Sequence, residues 1–545
     1  MTTYIEKPRF HKPVHPSRRK PPPADPFLEP YTAHRLPLLR ASSVPAEAPP
    51  LQSHAQAGIE MQRAAAADDS ERVRQQEAQR AMLAQAKQEL RHVLPLLGVR
   101  CAATQCSVLA RHPAVEAHVF RSKRTKHICP DPAGDATVRV LQLGVEDEAS
   151  LSDDTRAAIR ECGGTILAHP VVLDWDFWSV DQILRAILPL ELEEGAPSAF
   201  SMVGHIAHVN LREEYLAYRY LIGELILEKT PRVETVVNKL DTIDTEFRVF
   251  AMELLAGEPR YEAQVSESNC LFTLDFRHVY WNSRLHTEHA RLISQFQPFQ
   301  VVADVMAGVG PFAVPAAKKG VWVLANDLNP ECYKSMQHNV TQNKVEAHCR
   351  TFCEDGRAFI RESAVRAWDA AFPAHDDSLL SERQKRKERR RRREGDAADC
   401  APSPASPALP ALPRRLIDHF VMNLPATALE FLDAFRGLYT RLAAHVGHEA
   451  WQAEWEARRN VPGLELWPMV HVHCFTKEVD RAGEDICQRA SQALGLNEAD
   501  YLQPPGTPHA TPDLSLHLVR SVAPSKDMYC LSFRLPPSVL LDERV

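Results

Sequence analysis

The sequence lacks any apolar run of roughly 18 or more residues, the minimum for a membrane-spanning helix, so no membrane partner is expected. It also lacks a CxxC pair and any His/Cys cluster at zinc spacing. Its 12 cysteines are scattered from Cys101 to Cys530, and Cys349 and Cys353 stand four apart without a second pair. No metal is expected, and the thiols fit a reducing compartment. No apolar stretch follows the basic opening MTTYIEKPRFHKPVHPSRRKPPP, which argues against a secretory signal. A mitochondrial presequence would also be basic, but its amphipathic helix is opposed by these prolines. Net positive charge is missing too: 64 Lys and Arg against 71 Asp and Glu leave −7. That speaks mildly against a nucleic-acid partner, although a total over the chain hides the local patches that do the binding.

What is present is a soluble globular composition, 44% hydrophobic and 25% charged, in a chain of 545 residues, long enough for two or three domains. Residues 1–58, rich in proline and basic residues, read as a disordered extension. A proline-free stretch over 59–95 predicts a long helix. VRVLQLG (138–144) and TILAHPVVL (165–173) read as strands, giving a small N-terminal α+β domain over 59–190. Over 191–285 an accessory mixed α/β domain is expected: the apolar run VGHIAHVNL, a helix from about 213 to 228, then strands in VETVVNKL, YEAQVSESN and CLFTLDFRHVYW. Over 286–545 strand and helix alternate, as in a parallel α/β sheet of Rossmann-like type. The alternation stops over about 366–415, which reads as a disordered basic insertion. Its charged block 381–396, SERQKRKERRRRREGD, is either a solvated loop, a nuclear address or a patch that adheres to RNA. HFVMNLP and MVHVHCF then resume the sheet.

Candidate chemistry sits at successive strand ends. In VVADVMAGVGPF a strand ends in Asp304, and Gly308 and Gly310 let the backbone approach a ligand and open a helix towards it. VWVLAND ends in Asp327, 23 residues further on, where a carboxylate can accept from two ribose hydroxyls. A nicotinamide-dependent dehydrogenase shares both features, but the turn has no third glycine, which favours a methyltransferase using S-adenosylmethionine. In CEDGRAF, Asp355 could reach an adenine amino group or simply cap a helix. Asn423 and Pro425, in NLP, form a polar and rigid strand end of the kind that faces a nitrogen acceptor. Asn-x-Pro also occurs in ordinary turns.

The segments VGHIAHVNLR, IGELILEKTP, VVNK, FRVFAMELLAGE, DFRHVYWNSRLHTEHARL, DVMAGVGPFAVPAAKKG, NDLNP and NLP, from about 172 to 425, with HVHCF at 471–475, resemble the archaeal and eukaryotic tRNA (guanine-37-N1)-methyltransferases. The resemblance implies a Rossmann-like class I methyltransferase domain that moves a methyl group from S-adenosylmethionine to N1 of the guanosine 3′ to the anticodon, supporting reading-frame maintenance. It implies that Arg248 contacts guanine O6, that Glu288 is the general base and that Tyr280 lines the active site. His289, Asp327, Leu328, Asp355, Gly356 and Asn423 match cofactor-contacting positions, and Pro425 completes the NLP loop. The chemistry is coherent: a carboxylate must remove the N1 proton as the methyl arrives, and a guanidinium offsets charge growing on O6. Read without the family, Arg248 could be a salt-bridge partner, and Glu288 could pair on a helix that also carries Arg284 and Arg291. The implied partner is tRNA, held at the anticodon loop and, through the N-terminal region, at its outer corner, with the target base turned out of its stack. A monomer, in cytoplasm, nucleus or mitochondrial matrix, is the family expectation. Residues 1–170 match only faintly, and Met306 stands where an aromatic is common. Two alternatives stay open: an aminocarboxypropyl transferase of wybutosine synthesis, and a non-catalytic tRNA-binding protein on the same fold.

Overall fold

The computed structural model describes residues 58–122, 124–193, 195–243, 250–373, 414–459, 465–507 and 509–544. The N-terminal extension to residue 57, Arg248 and the basic block 381–396 lie outside the described residues. The chain divides into two compact units. One comprises Met1–Phe200, Leu211–Pro231 and Leu255–Gly257; the other comprises Ser201–Asn210, Arg232–Leu254 and Glu258–Val545. The stretch 191–285 contributes to both.

In the first unit the expected long helix is present as Gly58–Glu89. It stops earlier than the pattern suggested because the chain turns into the short strand His92–Leu94. Gln79, on its buried side, accepts from Leu221 N (2.7 Å) and donates to Ala217 O (2.8 Å), satisfying an otherwise free N–H at the start of helix Arg219–Lys229. Four antiparallel strands follow in the order Ile128–Pro130, Val138–Gln142, Leu97–Ala102, Thr165–Ala168. TILAHPVVL is therefore two strands, not one: Val171–Leu173 leaves this sheet to pair with His92–Leu94. Val99, Leu109, Val115, Leu141 and Ile159 close a small core under it, as expected of an α+β domain.

A four-stranded sheet, in the second unit except for Leu255–Gly257, runs Phe250–Gly257, Thr235–Ile243, Ile206–Val209, Ser201–Val203. The hairpin Glu262–Glu267/Cys270–Asp275 turns on Ser268 and Asn269, both at positive φ (50° and 61°), the backbone a tight two-residue turn needs. CLFTLDFRHVYW is strand only as far as Asp275.

The larger element is a seven-stranded sheet. Its strands in chain order are β1 (Val301–Asp304), β2 (Trp322–Asn326), β3 (Cys349–Phe352), β4 (His419–Met422), β5 (Met469–Thr476), β6 (Ser515–Ala523) and β7 (Lys526–Arg534). Their spatial order is β3-β2-β1-β4-β5-β7-β6. The first five are parallel, and β7 runs antiparallel to both β5 and β6. Helices α1 (His286–Gln295), α2 (Ala313–Lys318), α3 (Pro330–Gln342), α4 (Gly356–Asp369) and α5 (Ala482–Leu494) accompany it. This is the Rossmann-like fold the sequence implied. Alternate residues of each strand enter different cores. Val301, Ala303, Leu324, Phe420, Met422, Val470 and Val472 belong to one, while Val302, Val323, Ala325 and Val421 belong to the other. Burial on both faces is why these strands read as continuous apolar runs. Helix α4 continues to Asp369, and Phe372 bridges Arg414, so the polar insertion begins later than the expected 366. The strand order reverses between β1 and β4, and a ligand crevice belongs at that switch point, outside the C-terminal strand ends.

Candidate active site

Asp304 ends β1 on the face of the second core. It is fully buried, and neither carboxylate oxygen has a hydrogen-bond partner among the described residues. Burial, with the nearby Asp327 carboxylate adding to it, pushes its pKa up to about 8. The chain then turns through Gly308 (φ 56°) and Gly310 (φ 94°), in the left-handed region that glycine tolerates. A Cβ on Gly308 would meet nothing within 4 Å, whereas one on Gly310 would lie 2.9 Å from Val314 Cγ2. The first glycine thus faces open space and the second faces packing.

Asp327, just past β2, accepts from Gly308 N through Oδ2 (2.7 Å) and from Asn329 N through Oδ1 (2.9 Å). It locks the glycine turn against the second strand end, a structural duty that the ribose reading did not include. Leu328 beside it is 46% exposed, a large apolar side chain open at the strand-end crevice. Asp355 caps α4, accepting from Arg357 N (2.9 Å) and Ala358 N (3.1 Å), both through Oδ1. The capping alternative is thus realised, and Oδ2 takes no part in it. Gly356 is buried against the Phe431 ring, 3.1 Å from where a Cβ would stand. Past β4, the Asn423 Oδ1 atom is buried without a partner among the described residues. Pro425 O accepts from Phe475 N (2.9 Å), tying the NLP segment to β5.

Glu288 lies in the first turn of α1 and is 3% exposed. Arg291, one turn on, donates to both its oxygens from Nε (2.6 Å) and Nη2 (2.7 Å). His473 of β5 hydrogen-bonds Oε1 through Nε2 (2.8 Å), and His517 of β6 stands 3.6 Å from Oε2. Burial alone would raise the Glu288 pKa. The donors Arg291 and His473 outweigh it and hold the carboxylate well below its ordinary range, while His473 is raised. The helix pairing considered for Glu288 is therefore real. Donor atoms of Glu288, His473 and Cys530 fall within 4.8 Å of one another. With the Arg291 guanidinium on both oxygens, this is a charge-paired cluster rather than a cation site. His289 turns the other way: its Nδ1 bonds Glu267 Oε1 (2.6 Å) and its ring packs edge-on against Phe312 (4.7 Å). It braces the residue that follows the glycine turn. Tyr280 is 47% exposed, and its hydroxyl accepts from Asn282 (3.2 Å).

The residues that sequence reasoning missed are His473 and His517; Arg291 was in view as a helix partner of Glu288, and the structure adds that it grips both carboxylate oxygens. HVHCF carried the one available signal, since alternate polar residues in a strand otherwise buried must face a polar neighbour.

Comparison with known proteins bears on this arrangement. Residues 180–260 match the TYW2 N-terminal domain and residues 263–367 the TRM5/TYW2 methyltransferase domain. The chain is 46% identical over 462 residues to a tRNA (guanine(37)-N(1))-methyltransferase of Coprinopsis cinerea, covering 84% of this chain and 95% of that protein. It belongs to the tRNA (guanine(37)-N(1))-methyltransferase family. A Schizosaccharomyces pombe member is 42% identical over 77% of this chain and 87% of its own. A solved complex of aTrm5 with tRNALeu aligns with 81% of the chain at 19% identity and a TM-score of 0.49.

The strand-end features fit S-adenosylmethionine, the family's cofactor. A glycine turn with open space, and a buried carboxyl and an amide oxygen that have no partner among the described residues, stand at the strand ends where the order reverses.

Proposed function

We infer that this protein transfers the methyl group of S-adenosylmethionine to N1 of guanosine 37 in tRNA. The observation that carries the reading is family membership over nearly the full length of a methyltransferase relative. The relatives bear the name of methyl transfer, which leaves aminocarboxypropyl transfer unfavoured.

The cofactor supplies an electrophilic methyl group on a sulfonium centre. Asp304, Gly308, Gly310, Asp327, Leu328, Asp355, Gly356 and Asn423 would hold it, with His289 bracing the turn from behind through Phe312. The unpartnered Asp304 carboxyl is suited to a cationic or hydrogen-bonding group of the ligand, because such contact favours its ionised form. The half-exposed Tyr280 ring offers a stacking face to a base turned out of the anticodon loop. Asn423 Oδ1 offers an acceptor to the base edge, and Pro425 keeps that strand end rigid. Glu288 takes the N1 proton as the N1–C bond forms, and Arg248, by the family resemblance, offsets the charge that develops on O6. Arg291 orients the carboxylate with a two-point grip. Phosphate contacts would dominate tRNA affinity, which should fall as salt rises. On the same family grounds the protein acts as a monomer, in cytoplasm, nucleus or mitochondrial matrix.

The test is methyl transfer from labelled S-adenosylmethionine to two unmodified tRNA transcripts, one with guanosine and one with adenosine at position 37. The expected product is 1-methylguanosine on the first alone, with most of the rate lost in Glu288→Ala and Arg248→Ala. A wild-type protein that binds the cofactor yet labels neither transcript would remove the substrate assignment.

A further inference from the structure

Glu288 presents a difficulty as a base. Its carboxylate is clamped by two cationic donors, so a proton arriving on it is held weakly and must be passed on. Two histidines flank it, and their surroundings differ. His473 is wholly buried on β5, already hydrogen-bonded to Oε1, and its Nδ1 has no partner among the described residues, so it offers no short path to water. His517 lies on β6, the outermost strand of the sheet. Its Nε2 is 3.6 Å from Oε2, the other carboxylate oxygen, and its side chain is 47% exposed. It pairs across the strands with Cys530, and the ladder register shifts just after it, between Leu518 and Arg520. Irregularities of this kind re-aim side chains at sheet edges.

We propose that His517 is a positioning residue that acts through Glu288, receiving from Oε2 the proton taken from guanine N1 and releasing it to solvent. The inference rests on Glu288 being the base. In the step, the S–CH3 bond breaks with its electron pair left on sulfur, and N1–CH3 forms from the pair freed by N1–H. The proton passes to Glu288 Oε2, then to His517 Nε2, then to water. The groups facing His517 are Arg291 and Glu288 from α1, His473 from β5 and its cross-strand partner Cys530 from β7. Burial, with the Arg291 and His473 charges, outweighs Glu288 and keeps His517 below its ordinary pKa, so it is neutral and able to accept near neutral pH. A shift of a few tenths of an ångström would bring the 3.6 Å separation within hydrogen-bond reach.

The experiment is single-turnover methyl transfer to the guanosine-37 transcript from pH 4.5 to 9, with wild type, His517→Gln, His517→Ala with and without added imidazole, and Glu288→Gln. His517→Ala should slow the chemical step by about tenfold or more with little change in tRNA affinity, and imidazole should restore part of the rate. The wild-type rate should fall towards acid as His517 is protonated, and that limb should flatten in His517→Gln. Rates within about twofold of wild type would overturn the proposal. So would a slow His517→Ala that ignores imidazole and keeps the wild-type pH profile, since that is the mark of a structural role. If Glu288→Gln stays fully active, the base assignment itself fails. If Glu288→Gln is dead while the His517 variants are normal, only the proton path fails.

Discussion

Asp304→Asn should stabilise the free protein at neutral pH while damaging cofactor binding. The wild-type carboxyl is fully buried with no partner for either oxygen among the described residues, and its pKa is pushed from 3.8 to about 8. Below pH 3.8 the group is neutral folded and unfolded, and its ionisation costs nothing. As the pH rises the unfolded chain ionises while the folded one does not. Stability is therefore lost progressively, until the folded group also ionises near pH 8. The span from 3.8 to 7 corresponds to about 4 kcal/mol, and from 3.8 to 5 to about 1.5 kcal/mol. An asparagine has no such titration. Its amide is as unpartnered as the neutral carboxyl, so that cost is the same at every pH and drops out of the slope. The stability gap between variant and wild type should therefore widen in the variant's favour by about 2.5 kcal/mol between pH 5 and 7, and level off above pH 8. Urea unfolding of both cofactor-free proteins at pH 5, 6, 7 and 8.5 reads the gap directly, and calorimetry with S-adenosylmethionine should show weaker binding by the variant. A gap that is flat across this range, or that moves against the variant as pH rises, would refute the reasoning.

The two glycines of the turn should separate by assay. Gly310→Ala combines a φ of 94° with a Cβ 2.9 Å from Val314, and should lower stability by about 2–4 kcal/mol, read as a lower urea midpoint. Gly308→Ala meets open space and should cost only about 1 kcal/mol of backbone strain, yet its methyl intrudes on the crevice and should weaken cofactor binding in the same calorimeter. Asp355→Ala removes two cap hydrogen bonds and should cost about 1 kcal/mol, whereas Asp355→Asn retains a capping oxygen and should unfold like wild type. If Oδ2 serves the cofactor, both variants lose affinity, and full affinity in Asp355→Asn would confine the residue to capping.

The sheet was legible because burial on both faces leaves a plain signature. VVAD, VWVLAN and HFVM are apolar runs too short for helices, separated by helical lengths of chain, and they became β1, β2 and β4. Strand ends were legible for the same reason, since an acid closing such a run, as Asp304 does, has little place except at the edge where ligands bind. Breaks inside β-rich text were harder. Nothing local in TILAHPVVL says that Thr165–Ala168 and Val171–Leu173 pair with different partners, because the choice is made by His92–Leu94, about 80 residues away. The charge environment of Glu288 was less legible still. The three-residue step to Arg291 could be read from a helix, but His473 and His517 come from strands 185 and 229 residues further along, and their approach depends on the order in which β5, β7 and β6 assemble. Sequence spacing thus finds the base and one of its clamps, and only the sheet order finds the two histidines. One of them is buried and charged, the other open to water, and that asymmetry gives the abstracted proton a direction.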